Sequence, residues 1–178
     1  MRGYFSIGIE GVSKAGNMGN LIRTAHGFGA AFVFTIAAKL KPTDAMELAQ
    51  QISDTSNTPD HIPYYEFDRV EDLLLPKGCQ LVGVEITDDA VAMPSFRHPL
   101  KAAYILGSEI FSVSPKTLQK CDHVIKIPTK FSLNVATAGA VVMYDRLLCY
   151  GKFPARPVTP SGEPAERAPH VQGMPKQR

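Results

Sequence analysis

Little in this chain commits it to several common protein classes. It has three cysteines in 178 residues, Cys79, Cys121 and Cys149. They form no CxxC pair, which argues against a disulfide scaffold and reads as buried free thiols in a reducing compartment. No His, Cys or carboxylate cluster has ligand spacing, so no metal is expected. No apolar run is long enough to cross a membrane. The start, Met1-Arg2-Gly3-Tyr4, leads straight into a strand-like segment without the apolar core of a signal peptide, so a cytoplasmic protein with no membrane partner is expected. An excess of either charge sign is also lacking. The formal net charge is +2 and the pI about 8.4, which permits a nucleic-acid partner without demanding one. Internal repeats are absent. So are the GxGxxG and GK[ST] signatures, which leaves a nucleotide-binding Rossmann domain weakly supported.

What is present suits one α/β domain with a sizeable core. Short strands are expected at Phe5–Ile9, Ala31–Ile36, Tyr64–Phe67, Gln80–Glu85, Ala102–Leu106 and Val124–Ile127. Helices are expected at Asn17–Phe28, where Leu21, Ile22, Ala25 and Phe28 recur at helical spacing before Gly29, and at Leu133–Tyr150. Shorter helical pieces are expected at Thr43–Gln50, Val70–Leu75 and Ser114–Lys120, the last with Ser114 as cap and Pro115 at its first position. Ser53–Pro63 is polar and punctuated by proline, as a surface loop would be. Strands alternating with helices predict an α/β fold, a mainly parallel sheet with helices on both faces. Beyond Gly151 the composition changes. Prolines at 154, 157, 160, 164, 169 and 175 interrupt a polar, modestly basic stretch. Residues 1–151 therefore read as the domain and 152–178 as a disordered tail.

Three segments carry chemistry. In the first, Asn17-Met18-Gly19-Asn20-Leu21-Ile22-Arg23-Thr24-Ala25, Asn17 offers a polar amide suited to a helix cap. Arg23 follows almost two turns later. The second, Leu106-Gly107-Ser108-Glu109, closes an apolar strand, and ligands of open parallel sheets gather beyond such carboxyl ends. Gly107 lets backbone approach a ligand, and Glu109 can accept hydrogen bonds. In the third, Ile127-Pro128 closes a strand and Ser132-Leu133-Asn134-Val135 opens the last helix, with Ser132 as a natural N-cap. Lys130, between them, suits either an RNA phosphate or plain solvation.

In this order and at these separations the segments resemble the three motifs of the SpoU/TrmH family of RNA ribose 2′-O-methyltransferases, within the knotted SPOUT superfamily. The resemblance spans roughly Ile9 to Tyr150. It implies a C-terminal trefoil knot whose cleft holds S-adenosylmethionine in a bent conformation. It implies donor contacts from Leu106, Gly107, Ser108, Ile127, Pro128, Ser132 and Leu133. It assigns Arg23 to catalysis near the target phosphate and ribose, with Asn17, Glu109, Ser132 and Asn134 completing the site. A guanidinium stays charged, so Arg23 suits gripping the phosphate that flanks the hydroxyl better than acting as a base. The resemblance also implies structured RNA as substrate, transfer RNA slightly favoured over ribosomal RNA, and a homodimer through the C-terminal helix. There the small Ala138-Gly139-Ala140 would allow close packing.

The chain departs from the family at two places. Ile110, Phe111 and Ser112 stand where relatives carry glycines. Thr129-Lys130-Phe131 is a shorter link than usual, without its glycine, and Ala136 replaces a common serine. Other readings therefore stay open: a non-catalytic RNA-binding protein on the same scaffold, a base methyltransferase of the superfamily, or an unrelated nucleotide-binding α/β domain.

Overall fold

The computed structural model describes residues 3–40, 61–108 and 110–153. The expected helix at 43–50 and nearly all of the expected loop at 53–63 lie outside them, as does the sequence beyond 153. The described strands are β1 (Tyr4–Glu10), β2 (Val33–Ile36), β3 (Tyr64–Phe67), β4 (Gln80–Val84), β5 (Val91–Ala92), β6 (Lys101–Leu106) and β7 (His123–Lys126). The described helices are α1 (Ala15–Phe28), α2 (Pro115–Lys120) and α3 (Val135–Tyr150). The seven strands form one sheet in the order β3-β2-β1-β6-β4-β7-β5, and every pairing is parallel. Six strands were legible in sequence. The two-residue β5 was not, because a strand that short carries no period.

Alternation along the strands makes two cores. On one face Phe5, Ile7 and Ile9 of β1, Val82 of β4 and Tyr104 of β6 join Leu21, Ile22, Val142 and Met143 from α1 and α3. On the other Phe34, Ile36, Leu81, Ala103 and Ile105 pack together. Leu118 of α2 lies beside Gly83 on that second face. Helices thus cover both faces, as binary patterning of a buried parallel sheet requires. Gly139 makes room for the side chains between α1 and α3: a Cβ there would lie 2.4 Å from Leu21 Cδ1 and 3.3 Å from Ile7 Cδ1. Gly139, one of the small residues of α3, is buried inside the chain and serves this internal contact.

Several helix ends correct the sequence reading. Asn17 is not a cap: α1 begins two residues earlier, behind Lys14, so Asn17 falls within its first turn. Ser132 is not the cap of the last helix. Asn134 holds that position, its side-chain oxygen accepting from the Ala136 and Thr137 amides. Both errors arise because any short polar side chain near a helix start satisfies the capping pattern. The piece at 70–75 is a single 3₁₀ turn, Val70–Asp72. Ser114 does cap α2, with Pro115 in the first turn, and Gly29 ends α1 in the left-handed conformation at φ 75°.

The three cysteines are free and half-buried. Burial pushes the Cys121 thiol up to about 12, so it is protonated at neutral pH. Its neighbour Asp122 clasps β4: the Leu81 amide donates to Asp122 Oδ2 at 2.7 Å, and the Asp122 amide donates to Leu81 O at 2.8 Å. Cys121-Asp122 therefore serves the fold. No described helix is long and apolar enough to cross a membrane.

Candidate functional site

The carboxyl ends of β6, β4 and β7 lie side by side in the sheet and open onto a cleft of about 450 Å³. Parallel strands aim their carboxyl ends the same way, so the loops that follow them converge at one edge. Val84, Glu85 and Ile86 line the cleft after β4, Leu106, Gly107 and Ser108 after β6, and Ile127 and Thr129 after β7. Ser132, Leu133 and Asn134 with the start of α3 close one side, and Lys14 at the head of α1 reaches in. Ile110, Phe111 and Ser112 complete the wall.

The loop after β6 folds back tightly. A Cβ on Gly107 would lie 2.7 Å from Phe111 O, 2.8 Å from Val113 N and 2.9 Å from Ser112 C, all of them backbone atoms. Only glycine allows that return without moving main chain. Ser108 closes the turn, its Oγ accepting from the Phe111 amide at 3.0 Å. Two carboxylates then hold the outgoing segment. Glu85 Oε2 accepts from the Val113 amide at 2.8 Å. Glu10, at the end of β1, accepts from the Ser114 amide and hydroxyl at 2.8 and 2.7 Å and from the Thr117 hydroxyl at 2.9 Å. Charge-assisted bonds of this kind are about twice as strong as neutral ones. They fix the loop to the ends of two different strands.

On the opposite wall Thr129 Oγ1 donates to Phe131 O at 2.8 Å and stiffens the short link before α3. Asn134 has a second role besides capping: its Nδ2 donates to Asn17 Oδ1 at 2.9 Å. That bond ties the first and third sequence segments together across 117 residues.

Six of the residues expected to hold a ligand line the cleft: Leu106, Gly107, Ser108, Ile127, Ser132 and Leu133. Pro128 is not a lining residue, although both its neighbours are. Of the expected catalytic residues, Ser132 and Asn134 line the cleft and Asn17 reaches it through Asn134. Arg23 is exposed on α1 and is not part of the lining. Glu109 lies outside the described residues. Sequence reasoning missed Lys14, Glu85 and Ile86, and met Phe111 only as a departure from the family's second motif. Glu85 was within reach of it, because it ends a strand that was read from sequence, and ligands gather beyond strand ends.

Chemically, the cleft combines an apolar side (Leu106, Ile127, Leu133, Val135, Ala138) with a few convergent polar groups (Glu85, Ser132, Asn134). This suits a flat, partly apolar ligand of ordinary cofactor size, for which sites of roughly 300–1,000 Å³ are usual. Among the described residues no group of three His, Cys, Asp or Glu could hold a metal ion.

The model of the SpoU rRNA Methylase family matches residues 4–144 of this chain. A putative TrmH family tRNA/rRNA methyltransferase of Staphylococcus aureus is 26% identical over 144 residues, covering 77% of this chain and 56% of that one. The mouse tRNA (guanosine(18)-2′-O)-methyltransferase is 25% identical over 143 residues, covering 75% of this chain and 9% of that protein. The chain thus spans about half the length of the Staphylococcus relative. Among solved structures, the AdoMet-bound rRNA methyltransferase of Sinorhizobium meliloti superposes with a TM-score of 0.72 at 19% identity, over 83% of this chain and 57% of that one. At that identity the likeness is one of fold.

Proposed function

Because the chain belongs to the SpoU rRNA Methylase family, we propose that it is a cytoplasmic enzyme that transfers a methyl group from S-adenosylmethionine to a ribose 2′-hydroxyl of structured RNA, with transfer RNA as the favoured class. The observation that carries this reading is the Asn134–Asn17 bond. It joins the wall of a cofactor-sized cleft to the helix that bears Arg23. The names of the relatives point the same way: the Sinorhizobium structure is AdoMet-bound, and the mouse protein is a 2′-O-methyltransferase of tRNA.

The residues present fit the donor. The apolar side of the cleft matches an adenine face. Gly107 and Ser108 line the cleft where the strand ends, and Ser132 is placed for a hydroxyl or ammonium group. When bound, S-adenosylmethionine supplies a methyl activated by its sulfonium. The chain's own work is positioning, which contributes ~7–11 kcal/mol in favourable cases. Leu106, Ile127 and Leu133 exclude water from the apolar side. Asn134 orients the start of α3 and, through Asn17, the first turn of α1. Arg23 on the exposed face of α1 holds the phosphate flanking the target hydroxyl; as the methyl leaves sulfur for the 2′-oxygen, the 2′ proton passes to solvent water beside that phosphate. A fixed positive charge suits that role better than proton abstraction.

Two further features belong to the same reading. The domain closes in a trefoil knot, in which the 127–134 link and α3 pass through an earlier loop; the sheet order, with β6 between β1 and β4, suits it. Two copies pair through α3. Support comes from its outer face, where Tyr144 and Leu148 are 51% and 36% exposed one turn apart.

The deciding assay is transfer of labelled methyl from S-adenosylmethionine to unmodified transfer-RNA and ribosomal-RNA fractions, with products digested to nucleosides. Label is expected in a 2′-O-methylnucleoside from the transfer-RNA fraction. Label in a methylated base would replace ribose chemistry with base chemistry, and no label in either fraction would leave an RNA-binding protein. Arg23→Ala should lose transfer by at least about a hundredfold while titrating with S-adenosylmethionine as the parent does. Normal transfer by that variant would remove Arg23 from the site.

A further inference from the structure

Phe111 is an unusual wall for a ligand cleft. Its ring borders the cleft, yet the residue is 61% exposed. Ile110 and Ile86 beside it are 65% and 55% exposed, so the mouth carries a bare apolar rim. This rim does not sit on a loose tip. The Phe111 amide is held by Ser108 Oγ, its carbonyl packs over Gly107, and the next residues are tied by Glu85 and Glu10. A large apolar side chain exposed at a site's edge on hydrogen-bonded backbone marks a contact surface.

A cation accompanies the ring. Lys39 Nζ stands 4.9 Å from the Phe111 ring centroid. The lysine is delivered there by backbone. Its amide donates to Val12 O at 2.9 Å, and two residues earlier Ala37 takes the left-handed conformation at φ 48°. A non-glycine residue in that conformation costs on the order of 1–3 kcal/mol and persists only where its surroundings enforce it. Here the Ala37 amide is bonded to Phe67 O at 2.8 Å. Lys14, also exposed, lines the same cleft.

We propose that Phe111 and Lys39 form the seat for one unstacked nucleotide of the RNA substrate, the base lying on the ring and the adjoining phosphate on the ammonium. This rests on the RNA reading given above and names how that site takes its substrate. Three chemical points select this occupant. Unpaired bases are recognised by stacking on aromatic side chains, and every base has a face to offer. The lysines require an anion beside the flat group, which a nucleotide phosphate supplies. The methyl donor is assigned to the Leu106, Ile127 and Leu133 lining of the cleft, which leaves the exposed Phe111 ring to the substrate. An apolar patch of a protein partner would cover the ring but leave two ammonium groups without a counter-charge.

The test is binding of a fluorescently labelled, unmodified transfer-RNA fraction, followed by anisotropy without S-adenosylmethionine so that donor affinity does not enter. Phe111→Leu keeps apolar bulk but removes the aromatic face, and should weaken binding about tenfold. Phe111→Trp should restore it. Lys39→Gln should weaken binding and lower the slope of log K against log salt by roughly 0.7–0.9, the loss of one phosphate contact. Parent-like affinity in Phe111→Leu, equal weakening in the leucine and tryptophan variants, or an unchanged salt slope in Lys39→Gln would each overturn the seat. So would a Phe111→Leu protein that changes its sedimentation, since that assigns the rim to a second copy. If the parent itself binds no RNA, the RNA reading falls; if the parent binds and methylates RNA while these variants bind alike, only the seat falls.

Discussion

Asn134 serves the fold and the site with one side chain. Its oxygen accepts from the Ala136 and Thr137 amides, while its nitrogen donates to Asn17. The two roles separate by substitution. Serine caps a helix about as well as asparagine but is too short to reach Asn17. Asn134→Ser should therefore keep the folding free energy within about 0.5 kcal/mol while transfer falls, whereas Asn134→Ala should lose about 1 kcal/mol as well. Urea denaturation and methyl transfer, measured on both variants, check this. A serine variant with parental transfer would reduce the Asn134–Asn17 bond to an incidental contact. The same residue shows where sequence reading runs out. Asn134 was recognised as part of a motif, but the capping role went to Ser132, because the sequence contains no record of which polar residue the chain turns on.

The last helix is anchored at both ends, and its far anchor lies at the opposite edge of the sheet from the cleft. There Arg146, 2% exposed, donates to Pro99 O at 2.6 Å, Leu100 O at 2.9 Å and Tyr4 O at 3.3 Å, and its guanidinium lies over the Phe5 and Tyr150 rings. His98, 1% exposed, accepts at Nδ1 from the Tyr104 hydroxyl at 2.6 Å and donates from Nε2 to Asp145 at 2.9 Å. Burial holds the His98 ring below the usual histidine range; Arg146 lowers it further, and Asp145 pulls it back up. The folded chain therefore refuses a proton that the unfolded chain accepts from about pH 6.5 downward. The stability that this histidine contributes is present above that pH and is lost as the pH falls toward the folded value. Urea midpoints should drop between pH 7.5 and pH 5.5, and His98→Asn, though less stable by about 1–3 kcal/mol at pH 7.5, should drop by less. Equal drops in parent and variant would assign the pH dependence to other groups. None of this network was legible in sequence. His98, Tyr104 and Asp145 belong to different elements, and a lone histidine or buried arginine has no local pattern to announce it. The strands and long helices were legible because their periodicity is local.

At the scale of the whole molecule the cleft is well assembled but the proposed catalytic set is not. Two of the three sequence segments meet at the carboxyl edge of the sheet, since the converging loops of a parallel sheet leave them no other place. The first segment reaches the cleft only through Asn17, and Arg23 faces solvent. An arginine outside its own cleft acts only if the RNA, or a second copy of the chain, brings site and arginine together. The outer face of α3 offers a surface for that second copy, with Tyr144 and Leu148 exposed, and α3 packs against the helix that carries Arg23. Pairing through α3 would put the Arg23 helices near the seam. Replacing both Tyr144 and Leu148 with glutamate should therefore convert a dimer to monomers by light scattering at micromolar protein. Transfer should fall with it by at least about tenfold, because a charge pair buried in an isologous contact is opposed by its own copy. S-adenosylmethionine titration should remain parental, since neither residue lines the cleft. A parent that is monomeric at concentrations where it methylates RNA would refute the pairing and leave the RNA alone to bridge Arg23 and the cleft.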